Sequence, residues 1–247
     1  MPNIVCIIQA RTGSTRLPNK IFLDLQGNSV LSHVIQRVSK SSLLNKIIIA
    51  SPDSSSNDCI ENFVNNNFPD VGIFRGSEND VLDRYYKAAV KYNADVVVRI
   101  TSDCPLMDSQ VIDSIIQRYL SRDYDYVSNV LGKRTFPRGM DVEVFSMSIL
   151  KKMWQEAKES DDREHVTLYV RKNPEYFKTC NVEKENDTSD LRITLDQDED
   201  YILIKKIYKE LYPKNKNFGL KEIEEFFITN PGLKDINQNV IQKNGKY

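Results

Sequence analysis

The sequence is short of the groups that usually announce a chemistry. It holds two histidines, so polar catalysis has to be sought among carboxylates and cations. Its four cysteines, Cys6, Cys59, Cys104 and Cys180, stand far apart without a C-x-x-C pair, which argues against zinc and against a disulfide framework. No apolar run approaches the length of a membrane span, and Pro2-Asn3-Ile4 opens a strand without a signal-peptide pattern. A soluble, cytoplasmic protein with no membrane partner is expected. The formal net charge is −1 with 28% charged residues, so no basic field points to nucleic acid or to acidic membranes. Internal repeats and long linkers are missing as well. What remains, 247 residues, suffices for one large α/β domain with a sizeable core, or for two small ones.

Short apolar runs alternate with segments of helical period. Ile4 to Ile8, Ile47 to Ala50, Val71 to Phe74 and Val96 to Ile100 are compact and β-branched, as strands covered on both faces should be. Val30, Leu31, Val34, Ile35 and Val38 recur at helical spacing, as do Val81, Leu82, Tyr85, Ala88, Ala89 and Tyr92. Asp108 to Leu120 reads as a further helix, and Tyr126-Val127 as a short strand. This alternation predicts βαβ units and a doubly wound, mostly parallel sheet, with ligands beyond the carboxyl ends of the strands. The pattern changes after about Gly132. Gly139 to Phe145 alternates as a strand with Asp141 and Glu143 on one face, and helices follow over Ile149 to Ala157 and Glu164 to Arg171. Phe177 to Val182 and Leu191 to Thr194 read as strands, and Asp198 to Leu211 as a helix. One domain over 1–212 is expected, with a small α+β insertion about 133–185 and a helical extension and tail over 213–247, frayed from Gln242 to Tyr247.

Directly behind the first strand stands Gln9-Ala-Arg-Thr-Gly-Ser-Thr-Arg-Leu-Pro-Asn-Lys20. A strand that opens into a loop with a small turn residue, two arginines and a lysine outlines a phosphate cradle. Gly13 would allow a tight backbone path, and Arg11, Arg16 and Lys20 supply positive charge. The spacing is neither that of a Walker A loop nor that of G-x-G-x-x-G. The alternative is a basic surface loop with solvated side chains.

Two carboxylates follow strand ends, Asp103 after Val96–Ile100 and Asp196 after Leu191–Leu195. Such a pair suits Mg²⁺, which takes one or two protein carboxylates plus waters and phosphate oxygens. Asp196 could equally cap the helix that follows it, and Asp80 the helix from Val81. His33 falls on the polar side of the first helix as a surface or packing residue; Tyr85 and Tyr86 read as core and rim. His165, within Arg163-Glu-His-Val-Thr167, has a cation, an anion and a hydroxyl nearby, or else belongs to a self-satisfied helix terminus.

The Arg11…Arg16-Leu-Pro-x-Lys20 loop resembles the signature of the sugar-nucleotide cytidylyltransferases, which include the CMP-ketodeoxyoctonate and CMP-sialic acid synthetases, and among them the SpsF-type spore-coat polysaccharide branch. The likeness continues in order through Arg75-Gly-Ser-Glu-Asn-Asp-Val-Leu-Asp-Arg-Tyr85, Val98-Arg-Ile-Thr-Ser-Asp-Cys-Pro-Leu106, Tyr126-Val-Ser-Asn129, Pro137-Arg-Gly-Met-Asp-Val-Glu-Val-Phe145, Arg163 to Thr167, and Leu191 to Asp200. Thr101-Ser102 departs from the Gln-Gly or Asn-like residues those enzymes tend to carry. The resemblance implies a Rossmann-like nucleotide-diphospho-sugar transferase fold, CTP as co-substrate, a small-molecule acceptor, Mg²⁺ on Asp103 and Asp196, and a homodimer through the inserted region. Arg11, Arg16 and Lys20 would be catalytic. Ala10, Arg11, Gly13, Lys20, Arg75, Ser77, Thr101 and Asp103 would surround the nucleotide, and Asp141, Glu143, Arg163 and His165 the acceptor, a sugar acid, sugar phosphate or related phosphorylated metabolite. A metal-dependent glycosyltransferase is the second reading; a non-enzymatic subunit of a polysaccharide pathway is the third.

Overall fold

A computed structural model of the protein describes residues 1–241, so the expected fraying of 242–247 lies outside the described residues. The strands are β1 (Ile4–Gln9), β2 (Asp24–Leu25), β3 (Asn28–Ser29), β4 (Lys46–Pro52), β5 (Gly72–Gly76), β6 (Val96–Thr101), β7 (Tyr126–Ser128), β8 (Glu143–Ser146) and β9 (Thr179–Asn181). The α-helices are α1 (Val30–Val38), α2 (Asp58–Asn67), α3 (Val81–Lys91), α4 (Ser109–Leu120), α5 (Met147–Glu156), α6 (Ser160–Glu164), α7 (Leu168–Lys172), α8 (Asp198–Leu211) and α9 (Leu220–Thr229).

Seven strands form one sheet in the order β5-β4-β1-β6-β8-β7-β9, and β2 with β3 make a separate hairpin. The sheet is parallel except for β8, which runs against both β6 and β7. Its central strands are apolar on both sides because both sides are covered. Ile4, Cys6 and Ile8 face the layer that holds α1, α4, α8 and α9; Val5 and Ile7 face the layer of α3 and α5. Burying each such side chain stabilises the fold by about 1.5–3 kcal/mol. The segment 133–185 adds β8 and β9 to this sheet, and Leu150, Met153, Val166 and Val170 to the second layer. No described helix is long and apolar enough to cross a membrane.

Four local expectations are corrected. Gly139 to Val142 is not strand: Gly139 takes φ +107, and only Glu143–Ser146 pairs in the sheet. Leu191 to Thr194 is extended but holds only an isolated bridge between Arg192 and Arg138 and pairs with no strand of the sheet. The helix expected over Glu164 to Arg171 breaks into α6 and α7 at Val166, whose φ is +58. His33 is not on a polar side of α1 but is the packing residue of its two expected readings: it is buried, its Nε2 lies 2.7 Å from the Leu25 carbonyl, and its ring packs on Tyr208 and Tyr212.

Candidate active site

Chain order reverses across β1. The strands β4 and β5 lie on one side of it and β6 on the other, which is where an open α/β sheet leaves a crevice at its carboxyl edge. Gln9 pairs with Thr101, so the loop after β1 and the turn after β6 leave the sheet side by side.

The loop is pinned at its start. Thr12 N–H donates to Asn57 Oδ1 at 3.0 Å, while the Thr12 carbonyl accepts from Ser14 N at 2.8 Å and Asn19 N at 3.2 Å. The N–H groups of Gly13, Thr15 and Arg16 have no hydrogen-bond partner among the described residues. Gly13 stands at the centre of the three-residue turn that Ser14 N–H closes on the Thr12 carbonyl, with open space around it, an added Cβ meeting nothing nearer than 4.0 Å; a second turn follows at left-handed Asn19, with φ +54. That turn starts the short 3-10 segment Lys20–Phe22 and sends the Lys20 side chain inward. Its Nζ donates to Asp103 Oδ2 at 2.8 Å, to Asp196 Oδ1 at 2.9 Å and to the Leu195 carbonyl at 2.7 Å. The two carboxylates thus converge on one cationic point.

Asp196 does not cap α8. Gln197 is the N-cap, and Asp200 in the first turn reaches back to accept from the N–H groups of Asp196 and Gln197 at 2.9 and 3.1 Å, which leaves the Asp196 carboxylate to Lys20, Arg16 (3.2 Å) and Arg192 (3.0 Å). Asp103 is oriented by Thr101 Oγ1 at 2.5 Å, and its backbone is joined to the opposite segment by Leu195 N–H at 2.8 Å. That segment is kept close by Gly139, where a Cβ would sit 2.8 Å from the Ile193 carbonyl. Burial would raise the Asp103 pKa, but the Lys20 charge and the hydrogen bonds from Lys20 and Thr101 bring it down to about 2. Lys20 is displaced upward in turn: burial opposes its charge, and Asp103 and Asp196 more than compensate.

Two cavities meet over this pair. The first, about 240 Å³, is lined by the loop residues Ala10, Arg11, Arg16 and Lys20, with Arg84 and Ser102. The second, about 780 Å³, is lined by Arg134, Arg138, Arg171, Asp141 and Glu143. Arg16, Arg99, Thr101, Asp103, His165 and Asp196 border both. Arg11 is exposed and makes no ion pair among the described residues. Arg16 Nη1, Arg84 Nε and Arg99 Nε are buried N–H donors with no partner there. Buried unsatisfied donors of this kind around a cleft suit an anionic ligand.

The second cavity holds its arginines rigidly. Arg134 makes a two-pronged bond to Asp141 at 2.6 and 3.0 Å. Glu143 is buried and accepts from Arg99, Thr167 and Tyr126 (2.8 Å), with Arg171 at 3.2 Å. Burial would raise the Glu143 pKa; Arg99 and Arg171 hold it down at about 2. Thr167 also closes a three-residue turn on the His165 carbonyl at 2.6 Å around left-handed Val166, an arrangement rare for a β-branched residue.

Four residues expected at the site border neither cavity: Gly13, which lies in the loop between the lining residues Arg11 and Ser14, and Arg75, Ser77 and Arg163. Arg75 is tied to Asp58 (2.5 Å), Glu61 (3.1 Å) and the Ser54 carbonyl (2.8 Å). Ser77 Oγ accepts from Asp80 N–H at 3.0 Å, and Asp80 caps α3. Arg163 clasps Asp80 at 2.6–2.9 Å and donates to the Trp154 carbonyl. Sequence reasoning missed Arg84, Arg99, Arg134, Arg138, Arg171 and Arg192. The one signal for them was that Arg84, Arg99, Arg138 and Arg192 fall inside the quoted motifs.

The sequence matches the family model described as Cytidylyltransferase over residues 5–246. The chain belongs to the cytidylyltransferase family. It is 39% identical over 244 residues to the uncharacterized protein MJ1063 of Methanocaldococcus jannaschii, covering 97% of this chain and 96% of that one. It is 34% identical over 220 residues to the spore coat polysaccharide biosynthesis protein SpsF of Bacillus subtilis, covering 85% and 88%. A solved cytidylyltransferase from Leptospira borgpetersenii superposes with a TM-score of 0.89 at 34% identity, over 99% of this chain and 100% of that one. This cytidylyltransferase is accordingly a CTP-dependent nucleotidyltransferase with the Rossmann-like fold of its relatives.

Proposed function

We propose that this cytidylyltransferase is a cytoplasmic enzyme that moves CMP from CTP to a small anionic acceptor, releasing pyrophosphate, in the making of surface-polysaccharide precursors. One observation carries the reading: a cavity at the phosphate loop and a cavity lined with arginines meet at Asp103, Asp196 and His165. CTP occupies the first cavity with its phosphates along the loop. The acceptor occupies the second, its anionic group facing Arg134, Arg138 and Arg171, so that its nucleophilic oxygen reaches the α-phosphorus at the junction. The bond from that oxygen to the α-phosphorus forms as the bond to the β-phosphate oxygen breaks. Where the oxygen belongs to a phosphate or carboxylate it enters ionised, and the chain has no proton to remove. Arg11, Arg16 and Lys20 offset charge that grows on the departing pyrophosphate.

Asp103 and Asp196 fit Mg²⁺, since two oxygen donors already share a single cation and the ion takes its other ligands from waters and phosphates. Bound there, the ion would neutralise triphosphate charge. Asp141 and Glu143 act by orienting arginines, and His165 faces both substrates. We take the enzyme to be a homodimer through 133–185, as the resemblance implies; light scattering on the eluting protein tests it. The function is tested by mixing the protein with each nucleoside triphosphate, Mg²⁺ and phosphorylated or carboxylated sugars, and measuring pyrophosphate. CTP together with one anionic acceptor should give it. Release with neutral sugars alone, or with other triphosphates but not CTP, sinks the reading.

A further inference from the structure

The C-terminal segment reaches the carboxylate pair through one buried side chain. Asn237 follows the 3-10 segment Pro231–Ile236 and is 4% exposed. Its Nδ2 donates to Asp200 Oδ1 at 2.8 Å and to the Arg192 carbonyl at 3.0 Å. Asp200 is fully buried and also accepts from Arg192 Nε at 2.8 Å, Arg192 Nη2 at 2.9 Å and the N–H groups of Asp196 and Gln197. Arg192 Nη2 then donates to Asp196 Oδ2 at 3.0 Å. Asp196 is thereby held twice, by its backbone from Asp200 and by its carboxylate from Arg192.

The geometry points to Asn237 as a positioning residue for Asp196, acting through Asp200 and Arg192 without touching substrate. It rests on the reading that Asp196 serves the nucleotide. Both donors of the Asn237 amide go to the Arg192–Asp200 pair and none to its own segment, whereas the segment is fastened separately by Leu233 and Ile236, which pack on the core. Removing the amide therefore leaves the segment attached and takes from Asp200 and the Arg192 backbone one donor each, which loosens the pair that holds Asp196. The extension beyond α8 is in this way part of the active-site framework, although it borders neither cavity over the carboxylates.

The test compares Asn237→Ala with Ile236→Ala, which weakens the same segment without touching a carboxylate. Partners one step removed from a metal-binding carboxylate typically change metal affinity about 10–100-fold. Asn237→Ala should raise the Mg²⁺ needed for half-maximal pyrophosphate release by about tenfold or more and leave the acceptor KM unchanged. It should also speed amide hydrogen exchange, read by NMR, at Asp196 and Gln197. Ile236→Ala should lower the melting temperature with neither effect. If the alanine protein does not fold, Asn237→Ser, which keeps one short donor, should show the same shifts in smaller measure. Unchanged exchange and Mg²⁺ requirement in the Asn237 variant, or equal shifts in both proteins, overturns the inference. A wild-type protein that releases no pyrophosphate defeats the functional reading alone, since the exchange comparison still decides the positioning.

Discussion

The two cavities share a rim but keep their cations in opposite conditions. Around the first, Arg11 stands without an ion pair among the described residues and Arg84 keeps an unsatisfied Nε. Around the second, Arg134 and Arg171 each face a carboxylate within ion-pair distance, as does Arg99 on the shared rim. A polyanion arriving and leaving needs charge that is available to it. A selecting pocket needs donors whose directions are fixed beforehand, and a guanidinium held by Asp or Glu has lost most of its freedom before the ligand comes. Between the two stands Lys20, paired with both carboxylates and bordering the first cavity.

The largest effect should come from removing charge where the cavities join. Lys20→Ala and Asp196→Asn should each lower kcat by about 10²–10³, the loss typical of one preorganised electrostatic group. Since Asn caps helices as well as Asp does, near-normal turnover in Asp196→Asn would return that residue to a structural role and dissolve the junction. Next in size is the contrast between cavities. Arg11→Ala should reduce kcat with the acceptor KM unmoved, and Arg134→Ala should raise the acceptor KM about 10- to 150-fold, as loss of a charge-assisted bond of about 1.5–3 kcal/mol requires, while calorimetric CTP affinity stays put. A drop in CTP affinity for Arg134→Ala would merge the two cavities into one.

Acid sharpens the same comparison. Asp103 and Glu143 both sit near pKa 2 in the folded protein, below ordinary values of 3.8 and 4.5. A depressed carboxylate adds stability above its unfolded pKa, and that stability drains away as pH falls toward the folded value. Resistance to urea should therefore fall progressively as pH drops from 4.5 to about 2. Glu143→Gln should flatten part of that slope; an identical acid profile would mean that the second cavity's carboxylate carries none of it. The smallest effect is expected at Arg75, whose ion pairs lie partly in water: alanine there should cost under about 1 kcal/mol and leave turnover near normal.

Much of this was legible because periodicity and local chemistry agreed. The runs around Ile4 and Val96 gave the neighbouring strands, and the loop to Lys20 with Asp103 gave the half of the site that lies just behind them. The other half was not legible, for physical reasons. Arg99 is one cation inside an apolar strand and Arg134 and Arg171 stand beside lysines in other segments, and only the reversed strand β8 brings Glu143 between Arg99 and Arg171. Apolar Leu191 to Thr194 looks like a strand from composition, yet the positive φ and missing Cβ of Gly139 let it lie against a turn instead. Arg163 looked like a ligand because it is charged and close to His165; whether a cation faces a cavity or clasps a helix cap depends on Asp80, more than eighty residues earlier.

Lys20 finds its carboxylates 83 and 176 positions further along the chain. Contacts so distant in sequence are among the slowest to form, since long loops must close first. A chain emerging from the ribosome can build β1, its loop and β6 and still lack the second acid until α8 has begun to follow. The carboxylate pair around Lys20 is therefore complete only late in synthesis, and under the proposed function a partly made enzyme holds its loop without the second acid.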